Sequence, residues 1–184
     1  MAKTALVILA EGFEEIEAVA PVDVLRRAGV RVTVAGLTDQ KVKSSRGLSI
    51  QCDVLFKDYK DLPDAVIVPG GLPGAANLGK SKELADFLKK MDQAKKIVAA
   101  ICAAPALVLA PAGILDGKKA TCYPGCESDF SKTTTYCQDR VVIDGHIITS
   151  QGPGTALEFA LELVRQLVNP EMAETVRRKM LIRA

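Results

Sequence analysis

The residue of this chain best suited to chemistry is Cys102, which ends the apolar run Ile97–Cys102 where the chain must turn. Two small alanines follow it, and Pro105 then opens a helix-like segment. A strand, a tight turn and a helix lift a nucleophile above a sheet edge and direct unpaired helix N–H groups at it. This placement predicts a thiol whose pKa lies below its usual value of about 8.5. The alternative is a buried strand cysteine that acts as a small hydrophobic side chain.

A cluster of carboxylates offers an acid to accompany the thiol. Glu14, Glu15 and Glu17 fall in the first turn of a predicted helix. Compensation of the helix dipole explains Glu14 and Glu15. Glu17 lies on the flank of the predicted apolar stripe, so its carboxyl group could point at the sheet rim instead of water. Desolvation there would raise its pKa, and the protonated acid could donate a hydrogen bond to a thiolate.

Two glycines could bring the backbone close to a ligand. Gly70 and Gly71 follow a predicted strand and precede a turn rich in Pro and Gly. Glycine permits positive φ there, and an N–H group could form an oxyanion hole with that of Ala103. A plain tight turn is the alternative. The order Gly-Leu-Pro-Gly matches neither a P-loop nor Gly-x-Gly-x-x-Gly, which disfavours nucleotide binding.

The single histidine is not placed to serve as a base. His146 stands beside the Asp144–Gly145 turn and is predicted to be a hairpin residue far from the thiol, so a Cys-His protease dyad has no obvious base. Cys122, Cys126 and Cys137 could join His146 as zinc ligands, but their spacing fits no common zinc frame. We therefore expect no metal.

Composition restricts the partners and the compartment. The 24 basic and 22 acidic residues give a net charge of +2 and are spread along the chain, so nothing favours nucleic acid or a membrane surface. The five cysteines cannot all pair within one monomer, and the first apolar run is too short for a signal peptide, which predicts reduced thiols in the cytoplasm. No apolar run is long enough to span a membrane. The length predicts a single domain over residues 1–184.

Short apolar runs alternate with patterns of helical period, which predicts an α/β fold with a mainly parallel sheet between helices. The predicted strands are Ala5–Ala10, Arg31–Gly36, Leu48–Cys52, Ala65–Val68, Ile97–Cys102, Lys119–Cys122, Arg140–Ile143 and His146–Ser150. The predicted helices are Glu14–Ala28, Lys82–Met91, Pro105–Leu109, Gly154–Leu167 and Pro170–Met180. Inward stripes are assigned to Ile16, Val19, Ala20, Val24 and Leu25 in the first helix, and to Leu157, Ala160, Leu161, Val164 and Leu167 in the fourth.

Ligands of such sheets bind beyond the carboxyl ends of the strands. The segments that start at Glu11, Pro69, Cys102 and Ser150 each follow a predicted strand and carry the unusual residues of the chain. Four strand ends therefore converge on one rim.

Six motifs together resemble the DJ-1/ThiJ/PfpI superfamily, in its DJ-1 and YajL branch. They are Ala-Leu-Val-Ile-Leu-Ala-x-Gly-x-Glu-Glu-x-Glu at 5–17, Val-Asp-Val-Leu-Arg-Arg-Ala-Gly at 22–29, Ser-Arg at 45–46, Val-x-Val-Pro-Gly-Gly at 66–71, Ala-Ala-Ile-Cys-Ala-Ala-Pro at 99–105 and Thr-Ser-Gln-Gly-Pro-Gly-Thr-Ala at 149–156. They run over nearly the whole chain in the family's order, and as a set they are highly specific.

The resemblance implies a flavodoxin-like homodimer without a cofactor. It places the two-fold interface on the apolar surface of the first helix beyond its inward stripe, notably at Ala18 and Val22. It implies that Cys102 is the nucleophile on a strained elbow and that a protonated Glu17 is bonded to its sulfur. Backbone N–H groups, from Gly71 and Ala103 with Gly70 beside them, would hold developing negative charge. The implied pocket rim consists of Arg46, Tyr123, Gly152 and Pro153. Arg46 would make this rim favourable to anions, either in its own subunit or from across the dimer.

Members of the family are described as glyoxalases and deglycases, and also as oxidation sensors and chaperones. The resemblance therefore implies a hydrolase- or lyase-type cysteine enzyme that removes methylglyoxal or glyoxal, or their adducts on Cys, Lys and Arg, in protection against oxidative or carbonyl stress. Reactive aldehydes and glycated proteins are the implied partners. The alternative is a thiol redox sensor or chaperone without substrate turnover.

Two departures from related patterns bear on the activity. Tyr123 stands where the branch often carries a histidine, and a phenol with a pKa near 10 is a poor base at neutral pH, which predicts slow turnover. Ala103 stands where the PfpI-like peptidases place a histidine directly after the nucleophile, which disfavours peptidase activity.

Overall fold

A computed structural model describes residues 2–183 of the chain. Its strands are β1 (Thr4–Leu9), β2 (Arg31–Gly36), β3 (Lys41–Lys43), β4 (Ser49–Gln51), β5 (Val54–Leu55), β6 (Ala65–Val68), β7 (Ile97–Ile101), β8 (Lys119–Ala120), β9 (Thr135–Tyr136), β10 (Val141–Asp144) and β11 (Ile147–Ser150). Seven of them form a central sheet in the order β10-β11-β7-β6-β1-β2-β5. All neighbours are parallel except β10 and β11. The mainly parallel sheet expected from the sequence is confirmed.

Two predicted strands lie outside the central sheet. The run predicted over Leu48–Cys52 shortens to β4 and forms a hairpin with β3, because only Ile50 of its three residues is partly buried. The run predicted over Lys119–Cys122 shortens to β8, which pairs with β9. Both small sheets lie in connections between strands of the central sheet.

Helices cover both faces of the sheet. They are α1 (Glu15–Arg27), α2 (Gly74–Gly79), α3 (Lys82–Gln93), α4 (Ala156–Leu167) and α5 (Pro170–Lys179), with a π-helical turn at Pro105–Leu109. Side chains of β1 alternate between two apolar clusters: Val7 packs with α1, α4 and α5, whereas Leu6 and Ile8 pack with α2, α3 and the π-helical turn. None of the helices within residues 2–183 has the length and apolarity needed to cross a membrane.

The inward face of α1 differs from the expected stripe. Ile16 and Val19, expected on this face, are 54% and 49% exposed. Val24 and Leu25 are buried as expected, and Ala20 is partly buried. Ala18, which the expected stripe does not include, is also buried. The reason is that Glu17, a polar residue, takes an inward position and so fixes the rotation of the helix. The stripe expected for α4 is wrong at one residue, since Leu157 is exposed.

Candidate active site

Cys102 stands on a strained turn directly after β7. Its φ is +65°, in the left-handed region that residues other than glycine rarely adopt. Two hydrogen bonds hold this backbone: Cys102 N–H donates to Ser150 O at 2.9 Å, and Tyr123 N–H donates to Cys102 O at 2.8 Å. The elbow expected from the sequence is therefore present, fixed between β11 and the segment that follows β8.

The carboxyl group of Glu17 lies beside this elbow. Glu17 has no solvent exposure, and its Oε2 accepts a hydrogen bond from Gly70 N–H at 2.8 Å. A Cβ atom on Gly70 would stand 2.6 Å from Cys102 Cβ and 2.8 Å from Glu17 Oε2. The absence of a side chain at Gly70 is therefore what allows the thiol and the acid to come together.

Burial controls the protonation of Glu17. Desolvation raises the pKa of this carboxyl group to about 7, against the lowering effect of its contacts with Cys102 and Gly70. The raised pKa expected from the sequence is confirmed. At neutral pH Glu17 can therefore both release and accept a proton.

The expected lowering of the thiol pKa is not found. Burial, followed by the negative charge and hydrogen bond of Glu17, raises the pKa of Cys102 to about 12, and the N–H groups of Gly71 and Ala103 lower it only in part. The effect of Glu17 depends on its ionisation, because a protonated carboxyl group would donate to the sulfur and favour the thiolate. Whether Glu17 is protonated therefore determines whether it lowers or raises the pKa of the Cys102 thiol.

The two glycines have different roles at this site. Gly71, at a φ of +87°, and Ala103 each have an N–H group near enough to lower the pKa of the Cys102 thiol. Both are placed to stabilise negative charge beside the sulfur. Gly70, expected in the same set, does not offer its N–H group to the pocket, because it donates to Glu17.

The thiol opens into a pocket of about 430 Å³. The pocket is lined by Glu14, Ser45, Arg46, Gly71, Leu72, Cys102, Ala103, Tyr123, Cys126 and Pro153. Of the expected rim residues, Arg46, Tyr123 and Pro153 line it directly, and Gly152 lies beneath the Tyr123 ring, where a Cβ atom would be 3.3 Å from Tyr123 Cδ2.

Sequence reasoning missed several lining residues. Ser45 could have been found as the neighbour of Arg46 in the Ser-Arg motif, and Glu14 as the first of the three carboxylates. Leu72 and Cys126 carry no signal in the sequence that places them at the pocket, since Cys126 was weighed only as a metal ligand.

Glu15 holds the part of the rim that carries Arg46. Its Oε1 accepts hydrogen bonds from Ser44 Oγ at 2.5 Å and from Arg46 N–H at 2.9 Å, and its Oε2 accepts from Ser45 Oγ at 3.4 Å. Glu15 is buried, so dipole compensation is an incomplete account of it. Its carboxylate fixes the loop that brings Arg46 to the pocket.

The single histidine lies far from the thiol, and the cysteines form no metal cluster with it in the part of the chain that the structure describes. His146 precedes β11, at the sheet edge opposite the thiol, where its Nε2 is 2.6 Å from Asp92 Oδ1. This confirms its expected position. All five cysteines are free thiols. Within residues 2–183, no group of three His, Cys, Asp or Glu side chains is arranged as a metal site would require.

Taken together, the fold and the site define a class of proteins: an α/β sandwich that carries a cysteine on a nucleophile elbow beside a buried carboxylic acid. Comparison with known proteins identifies the family within this class. The DJ-1/PfpI family matches residues 3–166, and the chain belongs to it.

Two relatives match this chain over nearly their full length. The Parkinson disease protein 7 homolog of Danio rerio is 45% identical, with 98% of each chain covered. The glutathione-independent glyoxalase DJR-1.2 of Caenorhabditis elegans is 38% identical, with 95% of this chain and 94% of the relative covered. The crystal structure of Drosophila melanogaster DJ-1beta superposes with a TM-score of 0.93 at 42% identity, covering 100% of both chains. The family thus includes a relative named as a glyoxalase.

Proposed function

We propose that this protein is a cofactor-independent glyoxalase or deglycase that acts on methylglyoxal and glyoxal, and on their adducts with Cys, Lys and Arg, through Cys102. The observation that carries the proposal is the contact between the Cys102 thiol and the buried Glu17 carboxyl group, whose pKa is about 7. The similarity to a relative named as a glyoxalase supports it. A general base works best when its pKa lies near the working pH.

The first step is addition of the thiol to the aldehyde. The Cys102 sulfur forms a bond to the aldehyde carbon, and the π electrons of the C=O bond move to the oxygen. Glu17 accepts the thiol proton as this bond forms, so that a thiol of raised pKa need not ionise beforehand. The N–H groups of Gly71 and Ala103 stabilise the oxyanion, which Glu17 then protonates to give a hemithioacetal.

The second step converts the hemithioacetal into an acid. Glu17 removes the proton on the former aldehyde carbon, and the electron pair left behind forms an enediolate with its negative charge on the neighbouring carbonyl oxygen. That oxygen gains a proton, the hydroxyl group on the former aldehyde carbon loses one to become the thioester carbonyl, and Glu17 returns its proton to the neighbouring carbon. One carbon is oxidised and its neighbour is reduced, so no external redox cofactor takes part. Water then hydrolyses the resulting thioester, which releases lactate from methylglyoxal and regenerates the Cys102 thiol.

The test is lactate production from methylglyoxal by the wild type and by Cys102→Ala. We expect the variant to lose turnover, because Cys102 is the thiol in contact with the Glu17 carboxyl group that accepts its proton. Cys137→Ala is the matched control, since Cys137 is a free thiol outside the pocket lining, and it should retain the wild-type rate. Equal rates in the wild type and Cys102→Ala would sink the proposal.

Deglycase activity needs a separate measurement, because adducts also release free aldehyde spontaneously. The loss of an N-acetylcysteine–methylglyoxal adduct should be followed at rising protein concentration. A rate that exceeds spontaneous release supports attack on the adduct itself. A rate that levels off at spontaneous release restricts the activity to free aldehydes.

A second candidate function is redox sensing without turnover. It is favoured by the half-buried Cys102 thiol, which faces a pocket wide enough to admit peroxide. Both candidates require a reactive Cys102, so the lactate measurement separates them.

A further inference from the structure

We propose that Cys126 is the resolving thiol for Cys102: after peroxide oxidises Cys102 to a sulfenic acid, Cys126 condenses with it to form a reversible disulfide across the pocket. The sequence offered no role for Cys126 beyond a zinc frame that it does not fit. The structure places it on the wall of the same pocket as the nucleophile.

Backbone hydrogen bonds through Tyr123 connect Cys102 to Cys126. Tyr123 N–H donates to Cys102 O at 2.8 Å, and Cys126 N–H donates to Tyr123 O at 2.9 Å. Both side chains are partly buried and pack against the same apolar cluster. Two hydrogen bonds therefore join the elbow to the turn that carries Cys126.

The turn that carries Cys126 lies at the surface of the protein. Its residues Tyr123, Pro124 and Gly125 are exposed, and a Cβ atom on Gly125 would have open space around it. A disulfide requires Cα atoms about 4.4–6.8 Å apart. The proposed disulfide therefore requires residues 123–125, which belong to no strand of the central sheet, to bring the two Cα atoms to this separation.

The other cysteines are less suited to this role. Cys52 and Cys122 are buried, with 3% and 0% exposure. Cys137 does not line the pocket. Among the cysteines that the structure describes, Cys126 is the only one that lines the pocket together with Cys102.

The chemistry needs only a peroxide as oxidant. The Cys102 sulfur displaces one oxygen of the peroxide, which leaves as water or an alcohol, and Cys102 becomes a sulfenic acid in a two-electron oxidation. The Cys126 sulfur then bonds to the Cys102 sulfur, and the sulfenic oxygen leaves as water together with the Cys126 proton. A thiol reductant returns both thiols.

The disulfide would protect Cys102 and close its pocket. Without a resolving thiol, a second peroxide converts the sulfenic acid to a sulfinic acid, which simple thiols do not reduce. The disulfide would also stop turnover reversibly, and this consequence rests on the proposed function. Formation of the disulfide itself does not depend on that function.

The test is peroxide titration of the reduced full-length protein, followed by intact-mass measurement and peptide mapping. We expect the wild type to lose two hydrogens, to yield a Cys102–Cys126 cross-linked peptide, and to recover its original mass in dithiothreitol. Cys126→Ser should instead gain two oxygens at Cys102, and dithiothreitol should not remove them.

Cys137→Ser is the matched control and should behave as the wild type does. The proposal is overturned if the wild type and Cys126→Ser acquire sulfinic acid at Cys102 to the same extent, or if the cross-link joins other cysteines. Peptide mapping of the wild type decides the question even if Cys126→Ser folds poorly. Because the readout is mass, a failure of the glyoxalase proposal is detected separately by lactate production from the reduced protein.

Discussion

Glu17 and Cys102 share one desolvated site, so the charge of each controls the proton of the other. Burial raises the pKa of Glu17 to about 7, and the ionised carboxylate in turn raises the pKa of the thiol. The N–H groups of Gly71 and Ala103 lower the pKa of the thiol. The pair is therefore suited to moving one proton between sulfur and carboxylate during reaction.

This pair predicts a particular dependence of turnover on pH. As the pH rises through about 7, more Glu17 becomes a carboxylate able to accept the thiol proton, so wild-type turnover should rise and then level off. Glu17→Gln should lose this dependence and about 10²–10⁴-fold of the rate, because an amide cannot exchange the proton. The variant should also lower the pKa of Cys102, since it removes a negative charge, as measured by ultraviolet thiolate absorbance against a Cys102→Ala blank.

Glu17→Asp provides the comparison, because it keeps the acid on a shorter side chain and should retain more turnover than Glu17→Gln. Wild-type turnover by Glu17→Gln would show that this carboxyl group takes no part in the chemistry. An unchanged thiol titration would show that its charge does not act on the sulfur.

Part of this pair can be predicted from the sequence, and part cannot. Cys102 follows from a strand that ends in small residues, and Glu17 from a carboxylate on the flank of a helix. The sign of the thiol pKa shift could not be predicted, because it depends on how deeply the sulfur is buried and on its distance from Glu17. That distance depends in turn on Gly70, more than 30 residues from either partner.

At the scale of elements, the first turn of α1 organises one side of the pocket. Glu17 faces the thiol, and Glu15 faces the loop that joins β3 to β4. The expected stripe of α1 was wrong at Ile16 and Val19 because hydrophobic periodicity assigns polar residues to solvent. Glu15 and Glu17 instead face inward, because their carboxylates have buried hydrogen-bond partners. Ile16 and Val19 are exposed as a result.

The Glu15 contacts make it a positioning residue for Arg46. Glu15→Ala would leave the Arg46 N–H group without its acceptor and loosen the loop, at a cost of about 1–3 kcal/mol in folding free energy. We expect KM for methylglyoxal to rise roughly tenfold while kcat changes little, because the thiol and Glu17 remain in place. Steady-state kinetics of the two variants Glu15→Ala and Glu15→Gln measure this.

Glu15→Gln keeps an oxygen that can accept from Arg46 N–H, so its KM should stay close to that of the wild type. If both variants reduce kcat and leave KM unchanged, Glu15 acts on the chemistry and not on the position of the rim. Thermal unfolding of each variant separates a loosened loop from a general loss of structure.

At the scale of the whole molecule, one face remains without a partner in the single chain. Ile16 and Val19 project from α1 into solvent, and a second cavity of about 260 Å³ lies beside them, lined in part by Val19, Val22 and Ile50. The sequence placed the outer apolar surface of α1 at Ala18 and Val22, of which Ala18 is buried. We propose that this face forms a two-fold interface, which the resemblance to the family also implies.

Light scattering of the reduced protein at micromolar concentration should therefore give twice the monomer mass of 19.6 kDa. Val19→Lys should shift it to the monomer, because an unpaired charge buried in an interface costs about 3–5 kcal/mol, which weakens association by roughly 10²–10⁴-fold. Ile143→Lys is the control: Ile143 is also an exposed apolar residue, but it lies on β10 at the far edge of the sheet. A wild-type protein of monomer mass, or a dimer that survives Val19→Lys and dissociates with Ile143→Lys, would place the interface elsewhere or remove it.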